Sequence, residues 1–445
     1  MEIINLITHI NKIGMKIILL FVSIFLMLGC KSGDIKDLDE NTNIPDEEDE
    51  VIIPKIEVDN PYKNVNWEKA IQIRSTSHVH ITDQAALDRA ARIGYRHLPI
   101  SNYYPSAPYY PIDSIKDGQF RVKQDFGVVK IVNGQPQYIE GPIYWNDIIM
   151  DKETGWYNSL TVLQQRELPF KVGDFIFKRI PKNMIFSPNA EHHAFANVSG
   201  SVHINSLGSL FSSGTFDARN NFKTFWGGGE YSYGAGLTWQ ETFEKMLDQL
   251  LFKDGGGITI NHPTWTNTVN GKVELPQSLV EEMLDFDPRV LGIEVYCFTD
   301  WDLEMWDNIL KTGRRCLGFF VPDWGVQIND FKGGFNILLM DDFTEHNCLK
   351  SYRDGAFFGS QFGSEDLIFK RISLENEQLI IEVNSKSNFT IITDKETSKI
   401  DNVTYVRHKI SYDIFNIPTI KYIRVEVENG KERIFSQPIR FIKTN

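Results

Sequence analysis

Histidine at position 78, and again at 80, closes a β-prone run, Ala70-Ile71-Gln72-Ile73-Arg74-Ser75-Thr76-Ser77. Residues two apart on a strand point to the same side. Both imidazoles therefore face one point, and imidazole is the commonest side-chain ligand for zinc-like ions. Two further apolar runs end in potential ligands. Gly257-Ile258-Thr259-Ile260-Asn261 leads into His262-Pro263, and Leu317-Gly318-Phe319-Phe320-Val321 passes Pro322 into Asp323. Ligands at the ends of separate strands predict a metal site, with the strands as its scaffold.

The scaffold has its own signature. From residue 67 onward short apolar runs alternate with helical patterns. Helices are expected over 82–93, closed by Gly94, over 303–312, stopped by Gly313, and over 345–354, stopped by Gly355. Thr238-Trp239-Gln240-Glu241 has the form of a capping box, and Trp239, Phe243, Met246, Leu247, Leu250 and Leu251 follow it at helical spacing. Strands are expected at 96–101, 183–188, 202–206, 257–261, 290–296, 315–321 and 335–340. This alternation predicts βα units around a parallel sheet, enough of them for an α/β barrel. Residues 103–180 and 207–237 break the rhythm and are expected to build the rim of the site. Beyond 365 the pattern changes to period two, in Gln378-Leu379-Ile380-Ile381-Glu382-Val383 and Tyr422-Ile423-Arg424-Val425-Glu426-Val427 among others. That predicts a small antiparallel β-sandwich over 366–445, whose expected role is to pack on the barrel.

These motifs, in this order, resemble the polymerase and histidinol phosphatase (PHP) family. The resemblance covers roughly 70–360 and includes Gly292-Ile293-Glu294-Val295-Tyr296 and Tyr352-Arg353-Asp354-Gly355. It implies a distorted (β/α)7-type barrel. It also implies one metal held by His78, His80, a bridging Glu191 and Asp323, and a second that shares Glu191 and adds His203 and His262. Glu191 competes with its neighbours His192 and His193; it is preferred because a carboxylate can bridge two ions. His203 has a second reading as a satisfied strand histidine, and Asp323 as a loop cap. Glu294 is assigned an orienting role beside the ligands.

The chain departs from the family at a third metal. That ion needs a histidine soon after the first pair, another after the second strand, and a third two places after the late aspartate. Here Ala86 and its neighbours offer no early histidine, the second strand ends Ser101-Asn102-Tyr103, and Gly325 follows Asp323-Trp324. The losses sort by metal, which predicts a site for two divalent ions (Zn, Mn or Fe). The implied chemistry is hydrolysis of a small phosphate ester by a metal-bridging hydroxide. Asn102, Tyr103 and His193 are candidates, by position, to assist the leaving group. The alternatives are an amidohydrolase-like attack on a C–N or carboxylic ester bond, and a non-catalytic, glycan-binding surface lipoprotein.

The remaining features concern location. Lys12 and Lys16 precede a twelve-residue apolar run, Ile17 to Leu28, and then Gly29-Cys30. This is a secretory signal over 1–29 whose end resembles a bacterial lipobox, so Cys30 is expected to carry lipid. The run is too short to span a bilayer comfortably. Residues 30–66 read as an acidic flexible linker: positions 31–50 hold nine acidic and two basic residues. An acidic stretch there also resembles the surface-export signal of Bacteroidetes lipoproteins. The expected place is the cell envelope, anchored to the outer membrane by lipid. A net charge of −13 argues against a nucleic-acid footprint. Cys297, Cys316 and Cys348 show no metal-type spacing and read as core thiols.

Overall fold

Strand β1 (Lys55–Asp59) opens the described part of the chain. The structure, a computed structural model, describes residues 55–81, 84–101, 181–193, 195, 197–198, 202–209, 238–267, 271–361, 367–415 and 417–444. It adds the backbone of four short strands between 121 and 144, and at 193, 266–267 and 271–273 it describes backbone alone. The signal segment, Cys30, Asn102, Tyr103, the rest of the 103–180 insertion and nearly all of the 207–237 insertion lie outside the described residues.

β2 (Ile71–Ser75) carries the chain toward His78. Helix α1 (Gln84–Arg92) follows, with Ala86, Leu87 and Ala90 buried at helical spacing. Two short strands come next, β3 (Glu191–His193) and β4 (His203–Leu207). α2 (Trp239–Asp248) starts where its capping box predicts: Thr238 Oγ1 accepts from Glu241 N, and Glu241 Oε2 accepts from Thr238 N. β5 (Gly257–Ile260) leads to a hairpin of β6 (Thr264–Asn267) and β7 (Gly271–Glu274), then α3 (Gln277–Phe286). β8 (Val290–Cys297), β9 (Asp300–Trp301), α4 (Leu303–Lys311) and β10 (Leu317–Val321) complete this half. β11 (Gly334–Met340), α5 (Glu345–Asp354) and β12 (Phe357–Gln361) lead into β13 (Phe369–Glu375), β14 (Gln378–Thr393) and β15 (Thr397–Lys409). The last strands are β16 (Tyr422–Asn429), β17 (Glu432–Ser436) and β18 (Ile439–Thr444).

The strands do not close into a barrel, which corrects the (β/α)7 expectation. They divide into a six-stranded sheet, β9-β8-β5-β4-β3 with β10 beside β8, and a ten-stranded sheet. Only the β5-β8-β10 core is parallel, while β4 runs antiparallel to both β3 and β5. The expected strands at 96–101 and 183–188 supply single bridges, Ser75 to His97 and His97 to Ile185, in place of ladders. Pro99 and Pro188 each remove a ladder donor, and Asn183 turns the chain at φ 59°. On the other flank β10 meets the β2 segment through one bridge, Val79 to Asp323. A continuous ring needs ladders at both places.

The C-terminal strands are not a separate sandwich either. β2 pairs β11, β11 pairs β12, and β12 pairs β17, so the sheet runs on through β16 to β18 and β1. β14 pairs β15 along its length, β13 along its first part (378–383) and β16 along its second, with register shifts in the β15 pairing around Ser387. Their side chains also share a core with the other half. Tyr422 and Phe435 pack in one cluster with Trp306, Phe320 and the buried faces of α2, α3 and α4. Each such aromatic or aliphatic side chain stabilises by about 1.5–3 kcal/mol when fully buried. Close approach fixes the parallel core: a Cβ at Gly292 would lie 1.9 Å from the Leu317 carbonyl oxygen, so β8 and β10 pair here only with glycine.

One polar contact ties the C-terminal strands to α4. Arg424, with a side chain 1% exposed, donates Nε and Nη2 to the two oxygens of Asp307, each at 2.7 Å, and Nη1 to Glu426 at 2.7 Å. Its guanidinium lies over the Trp306 ring, 4.7 Å from the centroid. Removing Asp307 takes two of the three charge-assisted bonds from this buried guanidinium, and Glu426 keeps the third. Asp307→Ala should therefore destabilise the protein by about 3 kcal/mol, measured by urea unfolding; a loss below about 1 kcal/mol, the value of an exposed pair, would contradict this role.

Candidate metal centre

His78 and His80 extend from the end of β2, and their side chains are fully buried. Ser101 ties this segment to Glu191. Its hydroxyl accepts from Val79 N at 2.9 Å, its own N–H donates to Val79 O, and its carbonyl accepts from Glu191 N at 3.0 Å. Asp323, just past β10, lies alongside: His80 N donates to its carbonyl at 3.1 Å. Asp323 holds φ 48° and ψ −113°, a region that L residues rarely adopt and that costs about 1–3 kcal/mol. Its carboxylate then meets both imidazoles, with Oδ1 at 3.3 Å from His78 Nε2 and 3.1 Å from His80 Nε2.

Glu191, 1% exposed, sits at the centre. Its Oε2 lies 3.4 Å from His78 Nε2 and 3.0 Å from His80 Nε2. Its Oε1 lies 3.1 Å from His203 Nδ1 and 3.5 Å from His262 Nε2. The two oxygens of one carboxylate thus face two different sets of side chains. β4 delivers His203, and the turn after β5 delivers His262. Asn261 Nδ2 donates to Glu191 Oε1 and to Asn205 Oδ1, both at 3.2 Å.

The atoms that converge suit a cation. His78 Nδ1 lies 2.9 Å from Glu294 Oε1, and a carboxylate accepts, so Nδ1 carries the proton. In the neutral ring Nε2 is then a lone pair, directed at His80 Nε2 only 3.2 Å away and at two carboxylate oxygens. The Nδ1 of His262 is buried without a hydrogen bond among the described residues. Three overlapping groups have ligand atoms close enough to hold an ion: His78 with His80 and Asp323, Glu191 with His203 and His262, and His78 with His262 and Glu294. The third group draws on Glu294, whose Oε1 already engages His78 Nδ1 and whose other oxygen accepts from His262 N at 2.9 Å. The first two groups are open to a cation without displacing those bonds. Imidazole and carboxylate donors together fit zinc, manganese or iron.

The sequence-predicted residues His78, His80, Glu191, His203, His262, Asp323 and Glu294 all meet in this cluster. His192 does not: its neighbour Glu191 points inward, and alternation along β3 turns His192 to Ser206 Oγ at 2.9 Å. Of His193 only the backbone is described, opposite His203. His97 lies elsewhere, between Ser75 Oγ and Ser187 Oγ at 2.8 Å each, and burial lowers its pKa to about 3, which keeps it neutral. Cys297 is a buried thiol that donates to Asp323 Oδ2 at 3.9 Å, and burial, then Glu294 and Asp323, push its pKa up.

Sequence reasoning did not single out the amides around the cluster. Asn189 and Asn205 each donate to the Ser77 carbonyl at 2.7 Å, fixing the peptide before His78. No spacing rule marks such residues. Two indoles flank the cluster. Trp324 stacks on His80 at 4.2 Å and 15°, and Trp265 lies 5.8 Å from the rings of both His203 and His262. Gly325, where a third-metal histidine was expected and missing, has no room for a side chain: a Cβ would lie 1.8 Å from Lys332 O.

No protein-family model matches the chain, and no curated protein matches it. A crystal structure from Bacteroides vulgatus, described as a two-domain protein containing a predicted PHP-like metal-dependent phosphoesterase, aligns with 82% of this chain and 91% of its own at 11% identity and a TM-score of 0.35.

Burial lowers the pKa of His78, His80 and His262, but Glu191 and Asp323, joined by Glu294 at His78 and His262, outweigh it and raise all three above 6.5. Burial raises and the charged histidines lower Asp323, which ends below 3.8. A histidine raised on folding stabilises fully below its unfolded value and loses that contribution as pH rises through the folded one. A depressed aspartate contributes above its unfolded value and loses the contribution as pH falls through the folded one. Chelated protein should therefore lose thermal stability as pH rises above 6.5, and zinc or manganese should remove that loss because ions replace the protons. An alkaline stability profile identical with and without metal would contradict this account of the cluster.

Proposed function

We propose that this chain is a metal-dependent hydrolase of small phosphate esters, with two divalent ions at the cluster. One observation carries the reading: Glu191 turns one oxygen to His78, His80 and Asp323 and the other to His203 and His262. His78, His80 and Asp323 would hold one ion, His203 and His262 the other, with Glu191 spanning both. When bound, such a pair supplies Lewis acidity and activates water, and it clamps the charged oxygens of an in-line displacement at phosphorus. The order of motifs described above supports a phosphate ester as the substrate.

The protein's own contribution is position and dryness. Glu294 fixes the tautomer and ring plane of His78 and the backbone beside His262, the role that carboxylates commonly play behind ligating histidines. Asn261 and Ser101 hold Glu191 in place. Trp324 stacks on His80, and Trp265 stands beside the second histidine pair with an indole N–H that is buried and carries no hydrogen bond among the described residues. A phosphate oxygen is a suitable acceptor for that donor. Tyr296 is engaged with Trp301, stacked at 4.1 Å. The close contact at Gly325 supports two ions over three. We further propose that Cys30, outside the described residues, carries the lipid that anchors the chain at the cell envelope.

The test is elemental analysis together with hydrolysis of an aryl phosphate and an aryl acetate by protein loaded with manganese or zinc. Wild type should bind two ions and prefer the phosphate. Glu191→Gln should weaken both ions and lower the rate on the order of 100-fold, because a neutral amide is a poor bridge between cations. His203→Ala should retain one ion. Zero bound metal would refute the hydrolase reading, and acetate hydrolysis without phosphate hydrolysis would refute the substrate class.

A further inference from the structure

At the other end of the same strands lies a cavity of about 600 Å³, within the range of small-molecule sites. Ala70 before β2, Pro288 before β8, Arg315 before β10 and Met340 at the end of β11 line it. The metal cluster sits at the opposite strand ends. Arg315 and Asp323 stand eight positions apart, on either side of β10, and a rise of about 3.3 Å per residue puts the two sites on the order of 25 Å apart.

The cavity carries unbalanced positive charge. Two of its three acidic residues are already paired. Asp59 accepts from Arg440 Nε at 3.0 Å and Nη2 at 2.7 Å, and Asp354 pairs with Lys350 at 2.9 Å. What remains is Lys63, Arg315 and Arg353 against the exposed Asp341. Arg353 donates to the carbonyls of Gly256, Lys253 and Gly255, which fixes its position without neutralising it. Arg315 donates Nη2 to Arg353 O at 2.8 Å, and its nearest carboxylate, Asp59, is 3.9 Å away and shared with Arg440. Its Nε and Nη1 donors carry no hydrogen bond among the described residues. Burial, then repulsion from Arg289 and Arg315, lowers the Arg353 pKa to about 10. Arg315 shares its nearest carboxylate with Arg440 and Arg353 makes its bonds to carbonyls, so an anion in the cavity would be a favourable partner for this half-buried charge.

We propose that this cavity binds a small hydroxylated molecule through a phosphate or carboxylate group. The unengaged donors of Arg315 take the oxyanion, since a guanidinium hydrogen-bonds either group with charge assistance. Lys63 adds charge at the rim, and the exposed amides of Asn64 and Asn66 offer donors and acceptors to hydroxyls. The site stands apart from the metal cluster and does not depend on its chemistry.

Calorimetric titration of the full-length chain with inorganic phosphate and with glucuronate tests this, each probe representing one oxyanion. At least one should bind, and more weakly as salt rises. Arg315→Lys keeps the charge but removes the guanidinium donors, and should weaken binding tenfold or more with the circular dichroism unchanged. Lys63→Ala, at an exposed position, should weaken it less. Phosphate can also enter the metal cluster, so His80→Ala is the control and should leave binding at this cavity intact. Binding that survives Arg315→Lys but is lost in His80→Ala would overturn the proposal, as would no binding of either probe.

Discussion

Two glutamates, Glu191 and Glu294, lie almost fully buried among four imidazoles, and their desolvation governs the rest of the structure. A carboxylate removed from water needs compensating positive charge close by. Here the compensation comes either from protons on His78, His80 and His262 or from cations between the imidazoles. Both require the same geometry, with the carboxylates central and the ring nitrogens converging on them. β2, β5 and β10 lead into His78 and His80, His262 and Asp323, whereas β3 and β4 begin with Glu191 and His203 and β8 carries Glu294 within it. The strained backbone of Asp323 follows from the same demand, because that conformation turns its carboxylate toward both histidines of the first pair.

The cluster therefore lies on a seam. β2 belongs to the ten-stranded sheet, whereas β3, β4, β5, β8 and β10 belong to the six-stranded one. Few backbone bonds cross between them at the site: the Val79–Asp323 bridge and the bonds through Ser101 are the main ones. Side-chain amides supply more, since Asn189 and Asn205 both grip the Ser77 carbonyl. The C-terminal strands buttress the seam from behind. They continue the ten-stranded sheet, fill one core with α2, α3 and α4, and lock onto α4 through Arg424 and Asp307.

Four of the candidate ligands, His78, His80, His262 and Asp323, are legible from local rules. A strand brings positions 78 and 80 to one side, and strand-end placement singles out His262 and Asp323. Glu191 and His203 depended on the family resemblance, and the structure places both in the cluster. Helices α1, α2, α4 and α5 followed from periodicity and caps, whereas α3 went unassigned despite Pro276 at its start. Barrel closure was not legible, because it depends on ladders between distant segments. Pro99 and Pro188 interrupt two of the expected staves, a signal present in the sequence but outweighed by the βα rhythm. β15 was missed because much of it is exposed and polar, leaving little alternation to read. Asn189 and Asn205 act through single hydrogen bonds to one carbonyl, and no spacing encodes that.

The central claim is that one carboxylate, Glu191, spans two cation positions. Crystals of the full chain grown with zinc, with anomalous diffraction collected on both sides of the zinc edge, measure this directly. The account predicts two peaks: one among His78, His80 and Asp323, the other between His203 and His262, with an oxygen of Glu191 toward each. A single peak among His78, His262 and Glu294, or no peak at the cluster, would contradict it.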